Sequence, residues 1–377
     1  MTTTIRRIIR AALACGLVAA GLAQAQAPQA AVERGFYLLP EFHEAFPEQK
    51  VLMEEFLTHV QSDPVPISVA VDRPLRIAWM GPSIEVSDAW GRLNMTIRGR
   101  LDDLQIPFQM TEFIIHVDEH ERQATQIQQV LAGDFDYVVI GPSEYLAQKA
   151  GLEELAQTLP TLIMNVVNPF VDTYGTPRGA LTHIGFDHSV GAQLLCEWAI
   201  AETGGEGTFA LLRYLPGLID SQRSDYFADC VQANSNLRLV ATYEANGDRE
   251  LAFTGANGIL SRHPDITMLH AGSTAVALGA MAALEERGIV DQVLLNGWGG
   301  GQNELDAILA GTLDVTAYRV NDDWGVAVAE AIKAHLEGRE IPAVIAATMK
   351  AIDYRWTAEE VAAETAYGFR YSGTLDR

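Results

Sequence analysis

VLLNGWGGGQNELDAILAGTLDVTAYR, residues 293–319, is the stretch from which the architecture can be read. The apolar run Val293–Leu295 ends in glycines around Trp298, a helix-length segment follows, and the apolar run Val315–Tyr318 closes on Arg319. Strand, turn, helix, strand in that order cannot be a hairpin. It predicts a parallel sheet covered by helices.

The same alternation extends upstream. Leu75–Met80, Tyr137–Ile140, Leu162–Val166, Thr208–Leu212 and Met268–Ala271 read as further strands. Amphipathic segments separate most of them. In one, Trp90, Leu93, Ile97, Leu101 and Leu104 recur every three or four residues, as the buried face of a helix requires. The stretch Pro169 to His183 holds Pro169, Gly175, Pro177 and Gly179 with no apolar period, and reads as a linker. The expected fold is therefore α/β, with two doubly wound parallel-sheet lobes joined by three crossovers near Pro169–His183, Asn296–Trp298 and Arg319–Asn321. In numbers, 73–170 plus 298–319 form the first lobe, and 178–297 plus 320–350 the second. Residues 26–72 are a helical extension before the first lobe, and 351–377 a carboxyl-terminal segment.

The amino terminus reads as an export signal. Arg6, Arg7 and Arg10 precede the uncharged apolar run Ala11–Ala23, and Ala23-Gln24-Ala25 offers a cleavage site before Gln26. The run falls short of the roughly 20 residues that span a bilayer. Signal peptide 1–25 and residence in the periplasm are the expectations. The formal charge of −23 argues against nucleic-acid partners and anionic membrane surfaces. Beyond the signal, Cys196 and Cys230 sit among apolar residues on expected helices. They read as small hydrophobes with free thiols, although an oxidising compartment permits a disulfide.

Open parallel sheets bind ligands beyond the carboxyl ends of their strands. Polar and aromatic residues at those ends are Ser87, Trp90, Asn165, Arg223, Thr274, Trp298 and Arg319. Ser87 and Thr274 either contact ligand or cap helices. Trp90 begins the apolar stripe and so also reads as core. Arg223 shares a helical face with Phe227 and Cys230. A guanidinium buried there must meet an acid or an anionic ligand, and Arg319 faces the same choice. Enzymatic patterns are poor. Asp187, His188 and Ser189 are adjacent in sequence, which does not make a triad, and no nucleophile elbow occurs. His116 and His120 have metal-like spacing only on a helix. Binding without turnover, with no metal and no cofactor, is the reading.

Several stretches together resemble a known family. They are Phe46-Pro47-Glu48-Gln49, Pro64-Val65-Pro66, Val86-Ser87-Asp88 with Trp90, Gly185-Phe186-Asp187-His188, and Ser273-Thr274 before Val276-Ala277-Leu278-Gly279. Asn296-Gly297-Trp298-Gly299-Gly300-Gly301, Glu304-Leu305-Asp306-Ala307-Ile308, and Arg319 with Asn321-Asp322-Asp323 complete the set. From about residue 36 onward the chain resembles the ribose-type periplasmic binding proteins, in particular their LuxP-like, autoinducer-2-binding branch. The resemblance implies a type I binding-protein fold and a furanosyl borate diester, or a related furanose, in the interlobe cleft. Arg223 and Arg319 would neutralise the borate, Ser87, Asn165 and Thr274 would bond its hydroxyls, and Trp90 and Trp298 would wall the ring. Glu85 stands where the family has a ligand-contacting glutamine, and Ala89 where it has a tyrosine. The resemblance also implies a partner, a membrane sensor histidine kinase. The alternative is a sugar-binding component serving an ABC permease.

Overall fold

A computed structural model describes residues 27–84, 87–116 and 118–373. The expected signal, its cleavage site and Glu85 lie outside the described residues.

Two six-stranded sheets form, one per lobe. In chain order the strands are β1 (Leu75–Pro82), β2 (Phe108–Ile115), β3 (Tyr137–Ile140), β4 (Thr161–Met164), β5 (Thr182–Phe186) and β6 (Thr208–Arg213). Then come β7 (Arg238–Glu244), β8 (Met268–Ala271), β9 (Leu294–Gly299), β10 (Val315–Arg319), β11 (Val344–Ala347) and β12 (Met349–Asp353). The first sheet runs β11-β5-β4-β3-β1-β2 and the second β12-β10-β9-β8-β6-β7. Every recorded pairing is parallel except β10 with β12. All seven strands expected from apolar runs are present. The strands not anticipated are of two kinds. β2 and β7 are sheet edges, where half-exposed residues dilute the apolar signal. β5, β11 and β12 are short and become strands by pairing with distant partners, as Val344 does with His183.

Those long-range pairings correct two of the three expected crossovers. Residues 169–181 stay within the first lobe, because they lead into β5 of the first sheet; the chain crosses at Asp187. Asn296–Trp298 lies inside β9 and joins nothing between lobes. The crossing at Arg319–Asn321 is present: β10 belongs to the second sheet, while the helix Asn321–Leu336 packs on the first lobe. The third crossing is Thr348, between β11 and β12. The stretch 298–319, assigned to the first lobe from sequence, therefore belongs to the second.

The first lobe closes on an aromatic core. Trp79 and Trp324 are fully buried, Trp90 meets Trp324 at 5.0 Å, and Phe186 meets Trp324 at 5.6 Å. Burying one such side chain contributes about 1.5–3 kcal/mol. The helix Asp88–Asp103 lies against Asn321–Leu336 so closely that a Cβ on Gly325 would stand 2.6 Å from the Thr96 Cβ. Glycine is needed there for approach rather than for flexibility. Beside it the buried Arg100 meets Glu330 with Nη2–Oε1 at 2.6 Å.

The extension forms three helices, Gln29–Arg34, Leu39–Ala45 and Pro47–Val60. It docks on the first lobe through Tyr37, Phe42, Phe46 and Tyr174, with Phe42 and Tyr174 rings 4.9 Å apart. In the second lobe, Cys196 and Cys230 form a disulfide between the helices His188–Thr203 and Tyr226–Asn234. This corrects the expectation of free thiols. Each cysteine looked like a core residue in its own helix; only the packing of the two helices brings the sulfurs together. No helix among the described residues is long and apolar enough to cross a membrane.

Candidate functional site

The carboxyl ends of both sheets face one another across the crossovers. β4 ends at Met164, and Asn165 turns away with φ +66. Asparagine tolerates this left-handed conformation better than most residues. The turn buries the Asn165 side-chain Oδ1 with no protein partner. Its backbone oxygen accepts a bond of 3.2 Å from His188 Nε2, at the start of the first helix of the second lobe.

Arg223 sits on a π-helical turn, Ser221–Asp225, which widens the helix before Tyr226. The face expected from sequence is the inward one: Phe227 stacks on His270 at 4.2 Å and Cys230 is in the disulfide. Arg223 is 5% exposed, and its guanidinium lies 5.0 Å from the Trp298 ring and 5.3 Å from that of Tyr214. Its Nη1 donates to Gly272 O at 2.9 Å, while Nε has no partner. Arg319, also 5% exposed, lies over Phe186 at 5.5 Å and its Nε is likewise unpartnered.

Neither arginine has a carboxylate within ion-pair distance among the described residues. Among the described residues, no acid meets either guanidinium, which leaves the anionic or polar ligand as the other partner the sequence allows. Burial, and then the charge of Arg319, push Arg223 down to about 9. Burial lowers Arg319 too, opposed by the more distant charges of Glu304 and Asp88.

β9 supplies the floor. Trp298 is 1% exposed, with Nε1 unpartnered. Gly299 has φ +128, and a Cβ there would stand 2.8 Å from Arg319 Nη2 and 3.1 Å from Thr274 Oγ1. Glycine at this position makes room for Arg319. The loop is braced from behind by buried Glu304, which accepts from Trp298 N (3.1 Å), Gly300 N (2.7 Å) and Thr316 Oγ1 (2.6 Å).

The remaining expected residues divide. Thr274 is buried and donates to Trp298 O at 2.9 Å; the cap of its helix is Ser273, so the capping alternative for Thr274 does not hold. Ser87 is a helix cap, accepting from Ala89 N at 3.3 Å. Trp90 is 9% exposed and belongs to the aromatic core. Asn165, Arg223, Trp298, Arg319 and Thr274 gather near the crossovers.

Several residues of this region were not among the ligand contacts expected from sequence. His188 stands 6.0 Å from Trp298 with Nδ1 unpartnered; burial, then Arg223 and Arg319, hold the ring neutral. Ser189 Oγ donates to Asp187 at 2.6 Å rather than to His188, so these three do not form a triad. Asn321 Nδ2 is buried and unpartnered just after the second crossover. Besides the His188–Asn165 bond, Gln222 Nε2 donates across the lobes to Asn168 Oδ1 at 3.1 Å, and Gln302 N to Asp88 Oδ2 at 3.3 Å. Such partners lie far apart in sequence, and only the folded chain reveals them. His116 and His120 turn to different neighbours, Asp118 and Ser143.

Residues 109–340, more than half of the chain, match the family model described as "Periplasmic binding protein domain". The ribose import binding protein RbsB of Salmonella typhimurium is 26% identical over 184 residues, covering 48% of this chain and 61% of the relative. The chain thus spans about three fifths of that relative's length. A D-apiose import binding protein of Actinobacillus succinogenes is 30% identical over 156 residues, covering 41% and 50%. Among solved structures, an Agrobacterium vitis ABC transporter solute binding protein with bound D-fucose superposes with TM-score 0.69 at 16% identity, covering 77% of this chain and 99% of that one. The binding component of the Shewanella arabinose ABC transporter, bound to L-arabinofuranose, gives 0.68 at 17% identity, with 80% and 99% covered. At these identities the superpositions establish the fold.

Proposed function

The chain belongs to the periplasmic binding protein family, and from that premise we propose that it captures a small sugar between its lobes, without turnover, and delivers it to a membrane importer. The observation that carries this reading is the convergence of buried polar atoms from both lobes. Asn165 Oδ1 comes from the first; His188 Nδ1, Arg223 Nε, Trp298 Nε1 and Arg319 Nε come from the second, and none has a partner among the described residues. Buried polar groups are normally satisfied, and a ring bearing hydroxyls both donates and accepts, which suits this mixed set. Trp298 offers an apolar wall for such a ring. In this reading Thr274 holds Trp298, and Ser87 and Trp90 hold the first-lobe rim rather than the ligand. Relatives named for import of ribose and D-apiose support the sugar and the importer, and membership of the periplasmic binding protein family supports residence in the periplasm.

A second reading, a receptor for autoinducer-2 that reports to a sensor histidine kinase, is favoured by one observation. Two buried guanidiniums without a carboxylate partner among the described residues suit a ligand with a fixed negative charge, such as a furanosyl borate. Calorimetric titration of ligand-stripped protein separates the readings. Saturable binding of D-ribose or L-arabinose without borate supports the importer component. Binding of the autoinducer-2 precursor alone, and only with added borate, overturns it and leaves the receptor.

A further inference from the structure

The carboxyl terminus crosses between lobes a fourth time. The helix Ala358–Gly368 packs on the second lobe: Lys350 on β12 pairs with Glu364 at 2.7 Å, Gly368 abuts the Tyr318 hydroxyl, and Phe369 enters the second-lobe core. The chain then passes to the first lobe. Arg370 pairs with Asp323 at 2.8 Å and donates to Val60 O at 3.0 Å. Ser372 donates to the buried Asp322 through N (3.0 Å) and Oγ (2.8 Å), and Tyr371 OH donates to Asp103 at 2.8 Å. Asp322 and Asp323 begin the helix that follows the second crossover. Ser372 is 2% exposed, so this strap is part of the interior.

Arg92 connects the strap to the cleft. It is 1% exposed, lies 3.8 Å over the Phe369 ring, and donates through Nη1 to Ser372 Oγ (3.3 Å) and to Gly373 O. Its Nε donates to Asp88 Oδ2 at 3.0 Å. That same oxygen accepts from Gln302 N, at the amino terminus of the second-lobe helix Gln302–Ala310. One guanidinium therefore touches the strap on one side and an interlobe contact on the other.

We propose that the strap Tyr367–Gly373 biases the lobes toward closure, and that Arg92 is the positioning residue that transmits this bias to the Asp88–Gln302 contact. Hinge rotation moves the lobes relative to one another, so bonds that anchor one strap on both must shear on opening. Removing them lowers the barrier and the cost of the open state. The inference does not depend on which ligand is bound.

The test is small-angle scattering of ligand-stripped full-length protein against a chain ending at Phe369, Arg370→Gln and Asp88→Ala. Each variant is expected to show a larger radius of gyration than wild type. Asp88→Ala adds little to the truncation, because both act on one linkage. Folded variants with the wild-type radius overturn the strap, and fully additive opening overturns the role of Arg92. If the truncated chain fails to fold, Arg370→Gln and Arg92→Lys decide by the same readout.

Discussion

His188 Nε2 donates to the carbonyl oxygen of Asn165 at 3.2 Å, so a single bond ties a strand end of the first lobe to a helix start in the second. Because a carbonyl only accepts, this bond fixes the ring proton on Nε2 and leaves Nδ1 as an acceptor in the neutral ring. In the proposed site, the groups offered to a ligand therefore come from both sides of the hinge rather than from one lobe.

Asn165 contributes both a backbone conformation and a side chain, and two substitutions separate them. Asn165→Gly keeps φ +66 without strain and loses only the amide; sugar affinity falls while thermal stability is nearly kept. Asn165→Ala loses the same amide and also pays about 1–2 kcal/mol of left-handed strain. Calorimetry paired with thermal melts checks this, and equal affinity of wild type and Asn165→Gly would remove the side chain from the site.

Arg223→Met and Arg319→Met are each expected to weaken ligand binding by about 2–5 kcal/mol. Without ligand they should leave the fold as stable as wild type or more so, because each removes a buried charge that has no carboxylate partner among the described residues. Melts of stripped protein read the second effect. A large loss of stability in either variant counts against a charge held ready for a ligand.

The Cys196–Cys230 bond closes a loop with a sequence separation of 34. Chain-entropy arguments give such a crosslink about 4 kcal/mol. Urea unfolding with and without a phosphine reductant should show that loss. Both cysteines lie in the second lobe and neither is among the candidate ligand contacts, so ligand affinity at low denaturant should hold.

Acid should destabilise the protein before carboxylates titrate. Burial lowers His183 to about 4 and His270 to about 3, and holds His188 well below the usual range. All three have lower pKa values folded than unfolded, so their contribution is whole above pH 6.5 and is lost as pH falls toward 4. Each unit of displacement corresponds to about 1.4 kcal/mol. Asp314, raised to about 6 by burial, acts oppositely: its protonated form favours the folded state as pH falls below 6. Burial raises Glu304, Glu244 and Asp323 in the same sense as Asp314, and lowers His43 and His335 along with the other three histidines; the deeply buried histidines are expected to set the sign. Urea midpoints should decline from pH 6.5 downward, and a flat profile to pH 4.5 refutes the balance.

Much of this was legible along the chain. Short apolar runs, four of them followed by a glycine within two residues, predicted seven strands, because strand length and turn chemistry are local properties. The rule that ligands sit beyond strand ends then picked out Asn165, Arg223, Thr274, Trp298 and Arg319, which do gather near the crossovers. The same rule also picked Ser87 and Trp90, since a strand end does not reveal which way a side chain turns. Ser87 caps a helix and Trp90 joins the Trp79–Trp324 core.

What the amino-acid sequence determined by itself was therefore the kind of layers and the strand ends that matter. Tertiary structure alone decided which lobe each strand joins, where the chain crosses, the pairing of Cys196 with Cys230, and the placing of His188 and Arg92. The physical reason is range. Helix and strand periods are set by neighbours a few residues away, whereas β5 with β11, Arg92 with Ser372 and His188 with Asn165 depend on groups 23 to 280 residues apart meeting in one packed arrangement.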